Sequence, residues 1–163
     1  MSQTQTGPVR PAATDTGDDP ARIVYLLSKV FHALRAKRLE PALKELDVTP
    51  LQYTVLATIR RHAGLSSAEL SRRFYVTQQT MGQLLNGLEG RGWLLRTENP
   101  LNRRLLRHDL TPAGAGIVRR GDARVERIET EVLELLSEEQ RVCLRRSLED
   151  LNTMLRDEPM SPD

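Results

Sequence analysis

Apolar residues recur at helical spacing along most of the chain, and the exceptions fall together in one short region. Ile23, Leu27, Val30 and Leu34, joined by Val24, Leu26 and Phe31, predict a first helix. Asp18 and Asp19 are positioned to cap it, with Pro20 in its first turn. Its apolar surface covers much of the circumference, which predicts burial against more than one neighbour. Pro41 is expected to interrupt the pattern. A second helix restarts at Thr49-Pro50, with Leu51, Val55, Leu56 and Ile59 inward and His62-Ala63-Gly64 as its end. A short helix is predicted over 67–74, capped by Ser66 or Ser67. Thr77 caps a longer one whose Met81, Leu84, Leu85 and Leu88 face the core, and Arg91-Gly92 stops it.

Two candidate strands follow, 93–98 and 105–110, joined by Asn99-Pro100-Leu101-Asn102-Arg103-Arg104 as a hairpin with a long tip. Thr111-Pro112 then opens a helix carrying Ile117, Val118, Val125, Ile128, Val132 and Leu135. Ser137-Glu138-Glu139-Gln140 fits a capping box, and Leu144, Leu148, Leu151 and Leu155 repeat behind it. Residues 1–17 hold little to bury and read as a disordered tail, and the residues from 157 onward as frayed. The fold class is therefore mainly α with a small β hairpin (α+β). The order helix, helix, helix, hairpin is the layout of a winged helix-turn-helix, expected over 49–114. Flanking it are an N-terminal dimerisation region, 18–48, and C-terminal dimerisation helices, 115–163. An unmatched leucine stripe on terminal helices usually meets another copy of the chain, so a homodimer is expected.

Composition changes this picture in one respect. The 163 residues carry a net charge of only +2, yet arginine is unevenly placed. Arg60, Arg61, Arg72, Arg73, Arg91, Arg96, Arg103, Arg104 and Arg107 stand against Glu69, Glu89 and Glu98, which is the footprint of a polyanion binder. Aromatic residues make up 4% of the chain, which favours helix over sheet. No stretch reaches the roughly 18 apolar residues of a membrane span, and no secretory signal is visible. The single Cys143 excludes an internal disulfide framework. A cytoplasmic protein with no membrane partner is expected.

Candidate chemistry concentrates between residues 66 and 104. Thr77, Gln78, Gln79, Thr80, Gln83 and Asn86 lie on the polar face of the helix opposite Met81, Leu84 and Leu88. Such amides and hydroxyls hydrogen-bond base edges in the major groove, and the helix N-terminus attracts phosphate. In the wing, Asn102, Arg103 and Arg104 place cations where a narrow minor groove focuses negative potential. Ser66, Ser67, Arg72 and Arg73 suit phosphate contacts that position without selecting sequence. His32, His62 and His108 are scattered without metal-ligand spacing. With no phosphate loop or nucleophile motif present, no catalytic residues, metal or cofactor are expected.

Residues 49–114 resemble the MarR family of bacterial winged-helix transcription regulators. The resemblance rests on Thr49-Pro50-Leu51-Gln52-Tyr53-Thr54-Val55-Leu56, Leu70-Ser71-Arg72-Arg73-Phe74, Leu88-Glu89-Gly90-Arg91-Gly92-Trp93-Leu94, the wing, and Leu110-Thr111-Pro112-Ala113-Gly114. It implies a repressor: a homodimer with intertwined terminal helices that binds a palindromic operator in double-stranded DNA and releases it when a small molecule binds. Asn102 stands where the family usually has aspartate, and Gln83 where it often has arginine. The family's ligand pocket lies between dimer helices and DNA module; Tyr25, His32, Arg35 and Tyr53 are the residues here that could line it for a small aromatic ligand. Some relatives sense oxidants through a cysteine on the first helix; Cys143 lies on the last helix, beside Arg141, Arg145 and Arg146. A redox-sensing regulator and a winged helix used only for protein contacts are the alternative readings.

Overall fold

The computed structural model describes residues 21–99 and 102–157, with the side chains at 21, 99, 102–105 and 157 outside the described set. The tail expected over 1–17, the Asp18-Asp19 cap with Pro20, and residues 158–163 also lie outside it. The described elements are α1 (Ala21–Leu34), α2 (Glu40–Lys44), α3 (Pro50–Arg61), α4 (Ser67–Arg73), α5 (Gln78–Gly90), β1 (Leu94–Asn99), β2 (Asn102–Leu110), α6 (Pro112–Leu133) and α7 (Glu138–Asp157).

Pro41 does not interrupt the first rod. A π-helical turn, Arg35–Leu39, carries α1 into α2, and the Glu40 N–H bonds the Arg35 carbonyl five residues back. The ladder has already slipped by one residue when it reaches the proline. Its missing N–H therefore falls in the first turn of α2, where none is needed.

The other helix starts follow local capping chemistry. Thr49 Oγ1 accepts from Gln52 N at 3.2 Å while Gln52 Oε1 accepts from Thr49 N at 2.9 Å. Ser66, Thr77 and Thr111 cap α4, α5 and α6 in the same sense, each accepting from the N–H three residues on. Ser137 and Gln140 form the expected reciprocal pair at α7.

One core joins these elements. Leu43 (α2), Leu46 and Val48, Val55, Leu56 and Ile59 (α3), Leu70 (α4), Met81, Leu85 and Leu88 (α5), Leu94 (β1), and Ile117 and Val118 (α6) are all buried together. The core thus begins before Thr49. Each fully buried leucine contributes about 1.5–3 kcal/mol relative to exposure. Leu51, expected inward, is exposed, because it stands one turn before Val55 and beyond the edge of this core.

The hairpin closes the module. Pairing runs from Leu94↔Leu110 to Glu98↔Leu106, then shifts to Asn99↔Asn102, so the strands extend further than their apolar pattern predicts. The shift leaves 103–105 as extra residues on β2. Gly92 at φ +69 turns the chain from α5 toward β1 at little steric cost.

Helices α1 and α7 contribute little to that core. Ile23, Val24, Tyr25, Val30 and Phe31 are exposed on α1, and Val142, Leu148, Met154 and Leu155 on α7. Leu135, grouped with the α6 pattern in the sequence, lies beyond the helix end and is 91% exposed. A cleft of about 920 Å³ runs between α6 and α7 and reaches the end of α1, lined by Leu34, Leu39, Val125, Ile128, Val142 and Leu148 among others.

Candidate nucleic-acid interface

The turn from α4 to α5 sets the direction of the second helix. Val76 N bonds Ser71 O at 3.1 Å and Tyr75 takes a left-handed conformation at φ +51, which turns the chain sharply at the end of α4. Phe74 and Val76 pack on the core, while Tyr75 between them is exposed. Thr77 then caps α5, accepting from Thr80 N at 3.1 Å and lying 2.9 Å from Thr80 Oγ1. The first turn of α5 holds no acidic residue, so its exposed N–H groups keep their positive character.

All six polar residues expected on the recognition face are exposed. They are not equivalent. Thr77 and Thr80 engage each other at the cap. Gln78, Gln79 and Gln83 make no side-chain hydrogen bond among the described residues. Asn86 accepts from Arg96 Nη2 at 2.8 Å, which joins α5 to β1.

The residues expected to touch phosphate divide in the same way. Ser66 is committed to its cap: its hydroxyl accepts from Glu69 N at 3.3 Å and donates to Glu69 Oε2 at 2.6 Å. That hydroxyl, with the Ser66 N–H, holds the Glu69 carboxyl below the usual range. Ser67 is partly buried. Arg72 and Arg73 are exposed at the end of α4, with Arg73 Nη2 3.4 Å from His62 Nε2. Asn102, Arg103 and Arg104 belong to the strand β2, and their side chains lie outside the described residues.

Several arginines in the basic segment serve the fold. Arg60 Nη1 donates to Asp122 at 2.5 Å, Arg96 grips Glu89, and Arg91 pairs with the Asp47 carboxylate. Arg91 also donates to the Asp47 carbonyl at 2.6 Å and stacks 4.0 Å from the Trp93 ring centroid, anchoring the end of α5. The free cationic surface is therefore smaller than a residue count suggests.

The four residues expected at a ligand pocket do not converge. Tyr25 is exposed beneath Lys29 Nζ, His32 meets Phe31 edge-on, and Arg35 pairs with Glu40. Tyr53 bonds Asp122 at 2.7 Å between α3 and α6, and burial followed by that bond pushes its hydroxyl pKa upward. Neither the cleft along α6 and α7 nor a second hollow beside Trp93 and Arg120 is lined by any of the four. Cys143 is exposed on α7.

Sequence reasoning did not single out Arg96 or Tyr75 as site residues. An arginine three positions past Trp93 in a strand gives no local sign that its partners lie on α5. Tyr75 carries a usable signal, since a large aromatic between two residues of a helix-helix turn is difficult to bury.

Comparison with known proteins bears on this arrangement directly. A model of the MarR family matches residues 46–105. The HTH-type transcriptional repressor Rv2887 of Mycobacterium tuberculosis (strain ATCC 25618 / H37Rv) is 34% identical over 135 residues, covering 83% of this chain and 96% of its own length. The chain belongs to the MarR family. Among solved MarR-family structures, a mutant MarR from E. coli complexed with operator DNA is similar at a TM-score of 0.66 and 26% identity. That match covers 82% of this chain and 99% of the other. The S. aureus MepR–DNA complex shares the fold at a TM-score of 0.71 and 22% identity, over 81% and 95% of the two chains. The mainly helical architecture with one small hairpin is thus that of a MarR winged helix, and its similarity extends well beyond residues 46–105 into the terminal helices.

Proposed function

We propose that this MarR-family chain is a sequence-specific DNA-binding transcriptional regulator, a homodimeric repressor acting on a palindromic operator. The observation that carries the reading is the exposed amides of Gln78, Gln79 and Gln83 on α5, behind a helix N-terminus that carries no acidic residue and ahead of the hairpin that holds Arg103 and Arg104. In this reading α5 enters the major groove, the wing arginines reach the minor groove, and Arg72 and Arg73 contact phosphate. Two copies joined through the apolar faces of α1 and α7 would address half-sites about one helical turn apart. The relatives named as repressors, and the operator complex of E. coli MarR, support both halves of the proposal.

Sequencing the DNA fragments that the pure protein retains from its own genome tests the reading. Enrichment of fragments sharing an inverted repeat is the expected result; retention proportional to fragment length alone would contradict it. Release by a small aromatic ligand belongs to the same proposal and rests on the family resemblance alone. Loss of the retarded complex when aromatic acids are added is the expected outcome, and indifference to every acid tried would remove this part.

A further inference from the structure

Gln79, Gln83 and Asn86 follow one another at helical spacing along α5 and form a single row. The last of them is held from outside its own helix. Arg96 Nη2 donates to Asn86 Oδ1 at 2.8 Å. A guanidinium has donors only, so the amide must turn its oxygen toward Arg96. Its amino end, with two hydrogens and no partner among the described residues, is what the amide offers outward.

Arg96 cannot readily swing away. Its Nε donates to Glu89 Oε1 at 3.0 Å and its Nη2 to Glu89 Oε2 at 3.0 Å, a two-pronged grip on a partly shielded carboxylate. His108, the cross-strand partner of Arg96, is buried beneath, with Nδ1 3.3 Å from the same Oε1. Glu89 and Asn86 stand on the same helix, one turn apart. The base of the wing therefore sets the orientation of a side chain on the reading face of α5.

We infer that Asn86 contacts the duplex as a hydrogen-bond donor, and that Arg96 and Glu89 are positioning residues that fix this orientation. The inference rests on the DNA-binding reading above. The acceptors that share the required chemistry are the base-edge acceptors of the major groove (guanine N7 and O6, adenine N7 and thymine O4) and the phosphate oxygens. An adenine read by a bidentate amide needs both ends of the side chain at once and is disfavoured.

The test is a double-variant cycle on the full-length protein, with selection from randomised duplexes and affinity for the selected site as readouts. Asn86→Ala is expected to weaken binding about three- to tenfold, the effect of one hydrogen bond. In an Arg96→Ala background the same change should cost less than about twofold, because the amide has already lost its orientation. Glu89→Gln, close in volume, should reproduce the coupling in a protein that melts near the wild type. A base contact would relax one symmetric pair of positions in the selected site, whereas a phosphate contact would weaken all sequences alike. Additive effects of the two changes would overturn the inference. A wild-type protein that selects no sequence would sink the regulator reading itself, and this with it.

Discussion

Tyr53 donates its hydroxyl hydrogen to Asp122 at 2.7 Å, and the bond ties α3 of the DNA module to the long helix α6. Arg60 holds the other oxygen of the same carboxylate. Tyr53→Phe keeps the ring that packs against Gly121 and removes only this bond. The expected loss is about 1 kcal/mol, read as a lower midpoint in urea denaturation.

Gly114 lies against the backbone where β1 begins. A Cβ there would collide with the Trp93 carbonyl oxygen, which also accepts from Thr111 N at 3.1 Å. No flexible side chain can yield at that point. Gly114→Ala should destabilise by roughly 1–3 kcal/mol, measured by thermal or urea unfolding.

His108 gives a pH dependence with a definite sign. Burial pushes its pKa below the ordinary value and Arg96 adds to this, while Glu89 and Asp109 oppose it. Above about pH 6.5 the ring is neutral in both folded and unfolded chains. Below that pH the unfolded chain takes up the proton more readily, so stability falls until the folded form is protonated as well. Urea midpoints measured between pH 7.5 and 5 should decline for the wild type and decline less for His108→Gln.

The stripe on α7 tests assembly. Leu148 is 45% exposed and lines the cleft shared with α6. Leu148→Glu would place a charge in the surface assigned to the second copy. Light scattering is expected to give twice the chain mass for the wild type and a shift toward the single-chain mass for the variant.

Much of this architecture was legible because helix starts are decided locally. Thr49, Ser66, Thr77, Thr111 and Ser137 each bond an N–H three residues away, so the instruction lies within one turn of sequence. The passage through Pro41 was not legible, because a π turn is a property of the ladder before the proline and leaves no residue signature. The exposure of Leu51 escaped for a different reason: periodicity gives a face, but only tertiary packing sets where the core ends. At the candidate site, the amide row on α5 could be read from spacing alone. The roles of Arg96, Arg91 and Ser66 could not, since they depend on partners across elements or on competition for one hydroxyl. Counting arginines overstated the free cationic surface, because charge arithmetic does not know that Arg60, Arg91 and Arg96 face carboxylates.

The central claim is that two copies of this chain grip one symmetric duplex, with α5 in the major groove and the wing in the minor groove. Titration of the genome-selected duplex, followed by fluorescence anisotropy at rising salt, tests it most directly. The expected result is two chains per duplex and an affinity that falls steeply with salt, by about a thousandfold or more between 50 and 200 mM if six or more phosphates are contacted. Arg103→Ala should weaken binding, and Gln79→Ala or Thr80→Ala should blunt discrimination against a duplex altered in one half-site. Equal affinity for the selected and a scrambled duplex, or binding that ignores salt, would contradict the account.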